Sequence, residues 1–99
     1  MAATPEAKVK AKIKKILEAH HVYYAMPVGS MFGKAGVPDF LCCVNERFLA
    51  SEAKANGGKP TALQQKNLRD IDRAGGYAIV VDENSLGYLE SMIRALRGL

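Results

Sequence analysis

The strongest constraint on the fold is a pair of apolar runs separated by a short polar turn. The first run opens with Val37-Pro38-Asp39, the turn is Asn45-Glu46-Arg47, and the second run ends in Glu52-Ala53-Lys54. Two such runs around a short turn are typical of a β-hairpin. If Asn45-Glu46 is a two-residue turn, Asp39 lies opposite Glu52, whereas a longer turn makes the two acids diagonal neighbours.

Three side chains of this hairpin have the chemistry that phosphodiester hydrolysis requires. Alternate residues of a strand share a face, so Glu52 and Lys54 point the same way. Two carboxylates and the backbone carbonyl of Ala53 suit Mg²⁺, and a bound cation stabilises charge on phosphoryl oxygens and activates a water. Lys54 would orient or deprotonate that water, or neutralise the phosphate. The alternative is an ordinary solvated strand, and Asp39 upstream is what favours a site.

The rest of the chain predicts three helices and two further strands. The first helix begins at Thr4-Pro5-Glu6 and runs to about His20, and the second runs from Thr61 to about Ala74. A last helix follows residues 84–85, where an asparagine or a serine caps it. Strands are expected at 22–26 and 77–81, the second buried on both faces because it is continuously apolar. The glycine-rich segment 27–36 is expected to be a mobile loop.

This order, α-β-β-β-α-β-α, predicts an α/β fold with a mixed sheet of about four strands flanked by helices. Ninety-nine residues, 48% of them hydrophobic and 24% charged, predict one domain over residues 1–99 and exclude a disordered or fibrous chain. No apolar stretch approaches the roughly 18 residues of a membrane span, and the lysine-rich start lacks the apolar block of a secretory signal. The adjacent Cys42 and Cys43 cannot readily pair, so we expect buried thiols in a reducing compartment such as the cytoplasm.

Several short motifs, in this order and spacing, resemble the VRR-NUC branch of the PD-(D/E)XK nucleases. They are Gly36-Val37-Pro38-Asp39-Phe40, Glu52-Ala53-Lys54, Thr61-Ala62-Leu63-Gln64, and Gly75-Gly76 before a strand. The resemblance covers about residues 6–81 and includes the α-β-β-β-α-β core of that superfamily. It implies a restriction-endonuclease-like fold and a DNA endonuclease that uses Mg²⁺ or Mn²⁺. Stand-alone members of phage type have about this size, which implies the cytoplasm of a bacterial host.

The resemblance also implies roles for individual residues. Asp39 and Glu52 would be the metal-binding acids and Lys54 the catalytic lysine. Glu6 matches a first-helix glutamate that completes the acidic cluster, and Gln64 matches the glutamine after the Glu-x-Lys strand. Both have alternatives, because Glu6 can complement the helix dipole and Gln64 can close a capping box. An acid projecting onto the apolar stripe of its helix independently favours a site role for Glu6.

A net charge of +4 weakly favours a polyanionic partner, and basic residues crowd the first helix and the region from 54 to 73. We expect contacts to DNA phosphates from Lys34, Lys59, Lys66, Arg69 and Arg73. The alternative for the basic helix face is a solvated surface with no partner.

Resolving a four-way (Holliday) junction needs two coordinated cuts, whereas one site makes one nick. The resemblance to stand-alone members implies a homodimer acting on such branched DNA. The expected interface is the region of Tyr23, Met26, Met31 and Phe32, because the last helix is more readily explained as covering its own sheet. Two other functions stay open: a non-catalytic DNA-binding or assembly module of the same fold, and a nicking or flap-cutting nuclease.

Overall fold

The computed structural model describes residues 3–28 and 34–98. Within these residues the elements are, in chain order, α1 (Pro5–Ala19), β1 (Tyr23–Ala25), β2 (Phe40–Val44), β3 (Arg47–Ala53), α2 (Ala62–Arg73), β4 (Tyr77–Val81) and α3 (Leu86–Leu96). The predicted α-β-β-β-α-β-α order is therefore confirmed. No helix in the described part of the chain is long and apolar enough to cross a membrane.

The four strands form one mixed sheet in the order β1-β2-β3-β4. The first three strands run antiparallel to their neighbours, and β4 pairs with β3 in parallel. A parallel pair requires a crossover connection, and α2 is that connection. The strand that carries Glu52 is thus an inner strand, paired on both sides.

The hairpin between β2 and β3 has the predicted two-residue turn. Asn45 and Glu46 both have positive φ, 50° and 69°, as a type I′ turn requires. Val44 pairs with Arg47, and this register continues to Phe40 opposite Ser51. One step further along, Asp39 is level with Glu52.

One face of the sheet is covered by α1 and α3. Buried apolar side chains from both helices and from the strands form one core, with the helix residues being Val9, Ile13, Leu17, Leu89, Ile93 and Leu96. Thr4 caps α1, its Oγ1 accepting from the amide of Ala7 at 3.1 Å. The last helix therefore covers its own sheet, as expected.

The opposite face is covered by α2, but only in part. A Cβ added at Gly76 would lie 2.9 Å from Cγ2 of Ile71 and 3.1 Å from Cδ2 of Phe48, so these two side chains meet there. Phe48 alternates with the buried Leu49 and lies on the face away from α1 and α3. Phe48 stays 43% exposed, so this face is left incompletely covered.

Two predictions about burial are wrong. The strand β4 is not buried on both faces, because it lies at the sheet edge with Tyr77 and Val80 39% and 38% exposed. Of the two thiols, only Cys42 is buried, where burial raises its pKa to about 12, and Cys43 is exposed on the other face. Tyr23, paired with Cys43, is 80% exposed as well.

Candidate active site

The carboxylate of Asp39 completes the edge of the hairpin. The β2–β3 ladder ends at Phe40 and Ser51, and the next β3 amide facing β2 belongs to Ala53. That amide donates to Oδ2 of Asp39 at 2.8 Å. The side chain thus substitutes for a missing backbone acceptor, and this hydrogen bond fixes its orientation.

The segment leading into Asp39 is held by α2. Gly36 has a φ of +78°, and a Cβ there would lie 2.8 Å from Cγ of Leu63 and 2.9 Å from Nδ2 of Asn67. The buried Asn67 amide donates to the carbonyls of Ala35 at 3.1 Å and of Leu63 at 3.0 Å. Glycine is therefore required at position 36 by both its conformation and its close approach to α2. Asn67 was not among the residues predicted from the sequence, although its amide anchors this segment.

Glu52 is a buried acid, with 2% of its surface exposed. Burial, together with the negative charge of Asp39, raises its pKa from 4.5 to about 7, although the contact with Lys54 lowers it. Oε2 of Glu52 lies 3.5 Å from Nζ of Lys54. Such a carboxylate is poorly compensated, because burying a charge is costly unless it is fully paired.

Two lysines stand among the acids. Nζ of Lys54 lies between Glu52 and Glu6, 3.9 Å from Oε1 of Glu6. Nζ of Lys10 lies 3.3 Å from Oδ1 of Asp39 and 3.8 Å from Oε2 of Glu6. Lys10 was not among the site residues predicted from the sequence. Its position four residues after Glu6, one helical turn along the same face, is the signal that identifies it.

The structure thus brings Glu6, Asp39, Glu52 and Lys54 into one charged cluster. Glu6 lies in the first turn of α1, so the helix-dipole alternative also holds for its position. Its contacts within the cluster are with Lys10 and Lys54. Glu6 therefore joins the site through the lysines.

The donor set fits a hard divalent cation. Asp39 and Glu52 offer carboxylate oxygens, and the carbonyl of Ala53 is directed to the same side of β3 as its amide, towards Asp39. Across residues 3–28 and 34–98, no three His, Cys, Asp or Glu side chains are grouped closely enough to hold a metal ion. Two acids and a carbonyl are thus the ligands the geometry favours, and direct ligation by Glu6 stays a prediction.

Gln64 forms the capping box that was its alternative role. Its Oε1 accepts from the amide of Thr61 at 2.9 Å, and its own amide donates to Oγ1 of Thr61 at 3.2 Å. Among the hydrogen bonds of the described residues, none joins Gln64 to Asp39, Glu52 or Lys54. A catalytic role for Gln64 stays a prediction, without a contact that supports it.

The predicted DNA-binding residues lie on the surface. Lys66 forms an ion pair with Asp70 at 2.8 Å, and this hydrogen bond lowers the pKa of Asp70. Arg69, Arg73 and Lys59 are exposed and form no ion pair with any described residue. Lys34 lines an apolar groove of about 270 Å³ between α2 and the sheet, which none of the acids or lysines of the charged cluster lines.

Comparison with known proteins gives a likeness in structure. No family model matches the sequence, and no curated protein matches it. A solved structure described as a VRR_NUC domain protein has a TM-score of 0.72 against this chain, covering 96% of this chain and 92% of that one. The chain has the fold of a VRR-NUC domain. The two sequences are 17% identical, so this likeness concerns the fold.

The VRR-NUC fold confirms the resemblance drawn from the short motifs, and with it the predicted fold class. The roles of individual residues rest on the geometry of the charged cluster in this chain.

Proposed function

We propose that this protein is a DNA endonuclease that hydrolyses phosphodiester bonds with Mg²⁺ or Mn²⁺. The observation that carries the proposal is the buried Glu52 beside Asp39, with Lys54 in contact, on the inner strand of a VRR-NUC fold. Burial of two acids side by side destabilises the fold unless something positive compensates them. A divalent cation is the compensation that also supplies hydrolytic chemistry.

Each residue has a definite task in this proposal. Asp39, Glu52 and the Ala53 carbonyl would hold the metal, which when bound polarises the phosphoryl group and activates a water. The amide of Ala53 keeps Asp39 oriented for this purpose. Lys54, only 13% exposed, holds its ammonium where it neutralises charge on the phosphate or orients the water.

The direct test is incubation of the protein with linear, flapped and four-way DNA, with and without Mg²⁺. We expect cleavage only with the metal, and fastest on the four-way substrate. Binding of all three DNAs without cleavage in either metal would instead establish the non-catalytic DNA-binding module. Preference for the flapped or linear DNA would establish the alternative nuclease specificity.

We further propose that DNA contacts α2 through its exposed arginines. Arg69→Glu should weaken binding about tenfold at moderate salt on every DNA sequence, because phosphate contacts carry no sequence information. Arg94→Glu is the matched control, since Arg94 is an exposed arginine in the last turn of α3 and the charge change is the same. Fluorescence anisotropy across a salt series measures both. An equal loss of DNA affinity in the two variants, or an affinity independent of salt, contradicts the proposal that this surface of α2 binds DNA.

The preference for branched DNA rests on a proposed homodimer. Tyr23 and Met26, in the region expected to form the interface, are 80% and 41% exposed, while the last helix buries its apolar side in its own core. Met31 and Phe32 lie outside the described residues. Sedimentation at micromolar concentration should give about twice the 10.7 kDa chain mass. The Tyr23→Lys variant should sediment as a monomer with the mass of a single chain. A wild-type monomer that cuts both strands of a four-way junction in one encounter contradicts the dimer.

A further inference from the structure

The side chain of Lys10 lies on the acid that the proposed metal needs. Its Nζ is 3.3 Å from Oδ1 of Asp39, closer than Lys54 is to either of its acidic partners. Lys10 comes from α1, whereas Asp39 precedes β2, so packing of the helix on the sheet creates the contact. The lysine is 35% exposed and the aspartate side chain 20%. Partial burial makes the interaction stronger than that of a typical surface pair.

The two oxygens of Asp39 differ in their partners. Oδ2 accepts from the amide of Ala53, a neutral donor that orients the carboxylate. Oδ1 faces the ammonium of Lys10. Lys10 therefore neutralises the oxygen of Asp39 that the backbone amide leaves free. What the lysine removes is net negative charge.

The net charge of the cluster shows how strongly Lys10 affects its attraction for a divalent ion. Three carboxylates, those of Glu6, Asp39 and Glu52, face the ammonium groups of Lys10 and Lys54. When all five groups are ionised, one negative charge is left to attract a divalent ion. Without Lys10 there would be two. The repulsion between a dication and an ammonium a few ångströms away is large on the scale of a binding energy.

Glu6 is a second acidic partner for the ammonium group of Lys10. Oε2 of Glu6 lies 3.8 Å from Nζ of Lys10, within the same turn of α1. The ammonium can therefore leave Asp39 and remain paired by rotating its flexible side chain. The ion pair between positions i and i+4 of a helix needs no movement of the backbone.

We propose, on the basis of the function above, that Lys10 is a positioning residue that sets the metal affinity of the site. Its ammonium competes with the divalent ion for Asp39 and moves to Glu6 when the ion binds. Lys10 thereby holds the metal affinity below the value that the acids alone would give. Glu6 contributes by retaining the displaced lysine.

The test is a calorimetric titration of the wild-type protein and its variants with MgCl₂ or MnCl₂, at a pH above 7 where Glu52 is ionised. Lys10→Gln should bind the metal about tenfold more tightly, because it keeps a polar side chain and the helix propensity of lysine but lacks its charge. Lys12→Gln is the matched control, since Lys12 is exposed on the same helix and forms no ion pair with any described residue. Its affinity should stay within about twofold of wild type, the difference left by long-range screened charge.

A second variant separates charge from shape. Lys10→Arg keeps the positive charge and should retain roughly wild-type affinity. Unchanged or weaker metal binding in Lys10→Gln overturns the proposal, as does an equal gain in Lys10→Gln and Lys12→Gln. If the wild-type protein binds neither metal, the proposed function fails. If it binds metal and Lys10→Gln does not differ, only the role of Lys10 fails.

Discussion

Asp39→Asn and Glu52→Gln should each reduce DNA cleavage by at least about a thousandfold, the upper range for loss of one charge-stabilising group. Both substitutions keep the size and the acceptor oxygen of the side chain but remove the negative charge. Asn at position 39 can still accept the hydrogen bond from the amide of Ala53, so the end of the hairpin should keep its structure. The expected loss therefore reflects metal binding. Single-turnover cleavage at saturating Mg²⁺ measures it.

Asp72→Asn is the control, because Asp72 is an exposed acid on α2 and the charge change is identical. It should cleave at the wild-type rate. Circular dichroism and sedimentation of all three variants establish that the fold is kept. Cleavage by either Asp39→Asn or Glu52→Gln at the wild-type rate would remove that residue from the site.

The Lys54→Ala variant distinguishes the role of the lysine from that of the two metal-binding acids. It should lose most activity but bind the metal at least as tightly as the wild type, because an ammonium group binds no cation and its removal leaves the acids with more net negative charge. Calorimetry with Mg²⁺ distinguishes the two effects. A loss of metal affinity as complete as that of Asp39→Asn would show that Lys54 organises the acids and takes no part in the chemistry.

The parts of this site that local sequence determines were predicted correctly. The turn at Asn45 and Glu46 fixes the register of the hairpin, and the register alone brings Asp39 level with Glu52. No knowledge of the helices is needed for that step. The capping box of Gln64, the alternative to its site role, is equally local and is present.

The parts that depend on how helices cover the sheet were not predictable in the same way. An apolar strand at the edge of a sheet and one at its centre have the same sequence pattern, so β4 was assigned too much burial. The contact between Lys10 and Asp39 depends on where α1 crosses the hairpin end. Among the five lysines between positions 8 and 15, the spacing from Glu6 distinguishes Lys10, but only tertiary packing brings its side chain to Asp39.

The same glutamate that the proposed chemistry needs should destabilise the protein without metal. The pKa of Glu52 is about 7 in the folded chain, raised by burial from its ordinary value of 4.5. For an acid whose folded pKa is raised, the stability contribution is fully present below pH 4.5 and is lost as the pH rises through about 7. Above that pH the folded state must keep a buried, ionised carboxylate.

Glu52→Gln should therefore unfold at higher urea concentration than wild type at pH 8 in the presence of a chelator. The rise in pKa from 4.5 to about 7 corresponds to at most about 3 kcal/mol, and this value already includes the opposing effect of Lys54. At pH 4 the difference should nearly vanish, because the wild-type carboxyl group is then protonated in both states. Asp72→Asn serves again as the control and should show no such dependence on pH. Equal stabilities of Glu52→Gln and wild type at pH 8 would contradict the buried, ionised acid.

Mg²⁺ should then reverse the order of stability. A ligand that binds only the folded state stabilises it by about 4.1 kcal/mol at a thousand times its dissociation constant, which exceeds the cost of the ionised Glu52. The wild-type protein should gain that stabilisation, and Glu52→Gln should gain almost none because it lacks a metal-binding acid. At pH 8, Glu52→Gln would thus have the larger free energy of unfolding with chelator, and the wild-type protein would have the larger one with Mg²⁺. A metal-induced stabilisation of equal size in both would place the metal away from Glu52, whatever the cleavage assay shows.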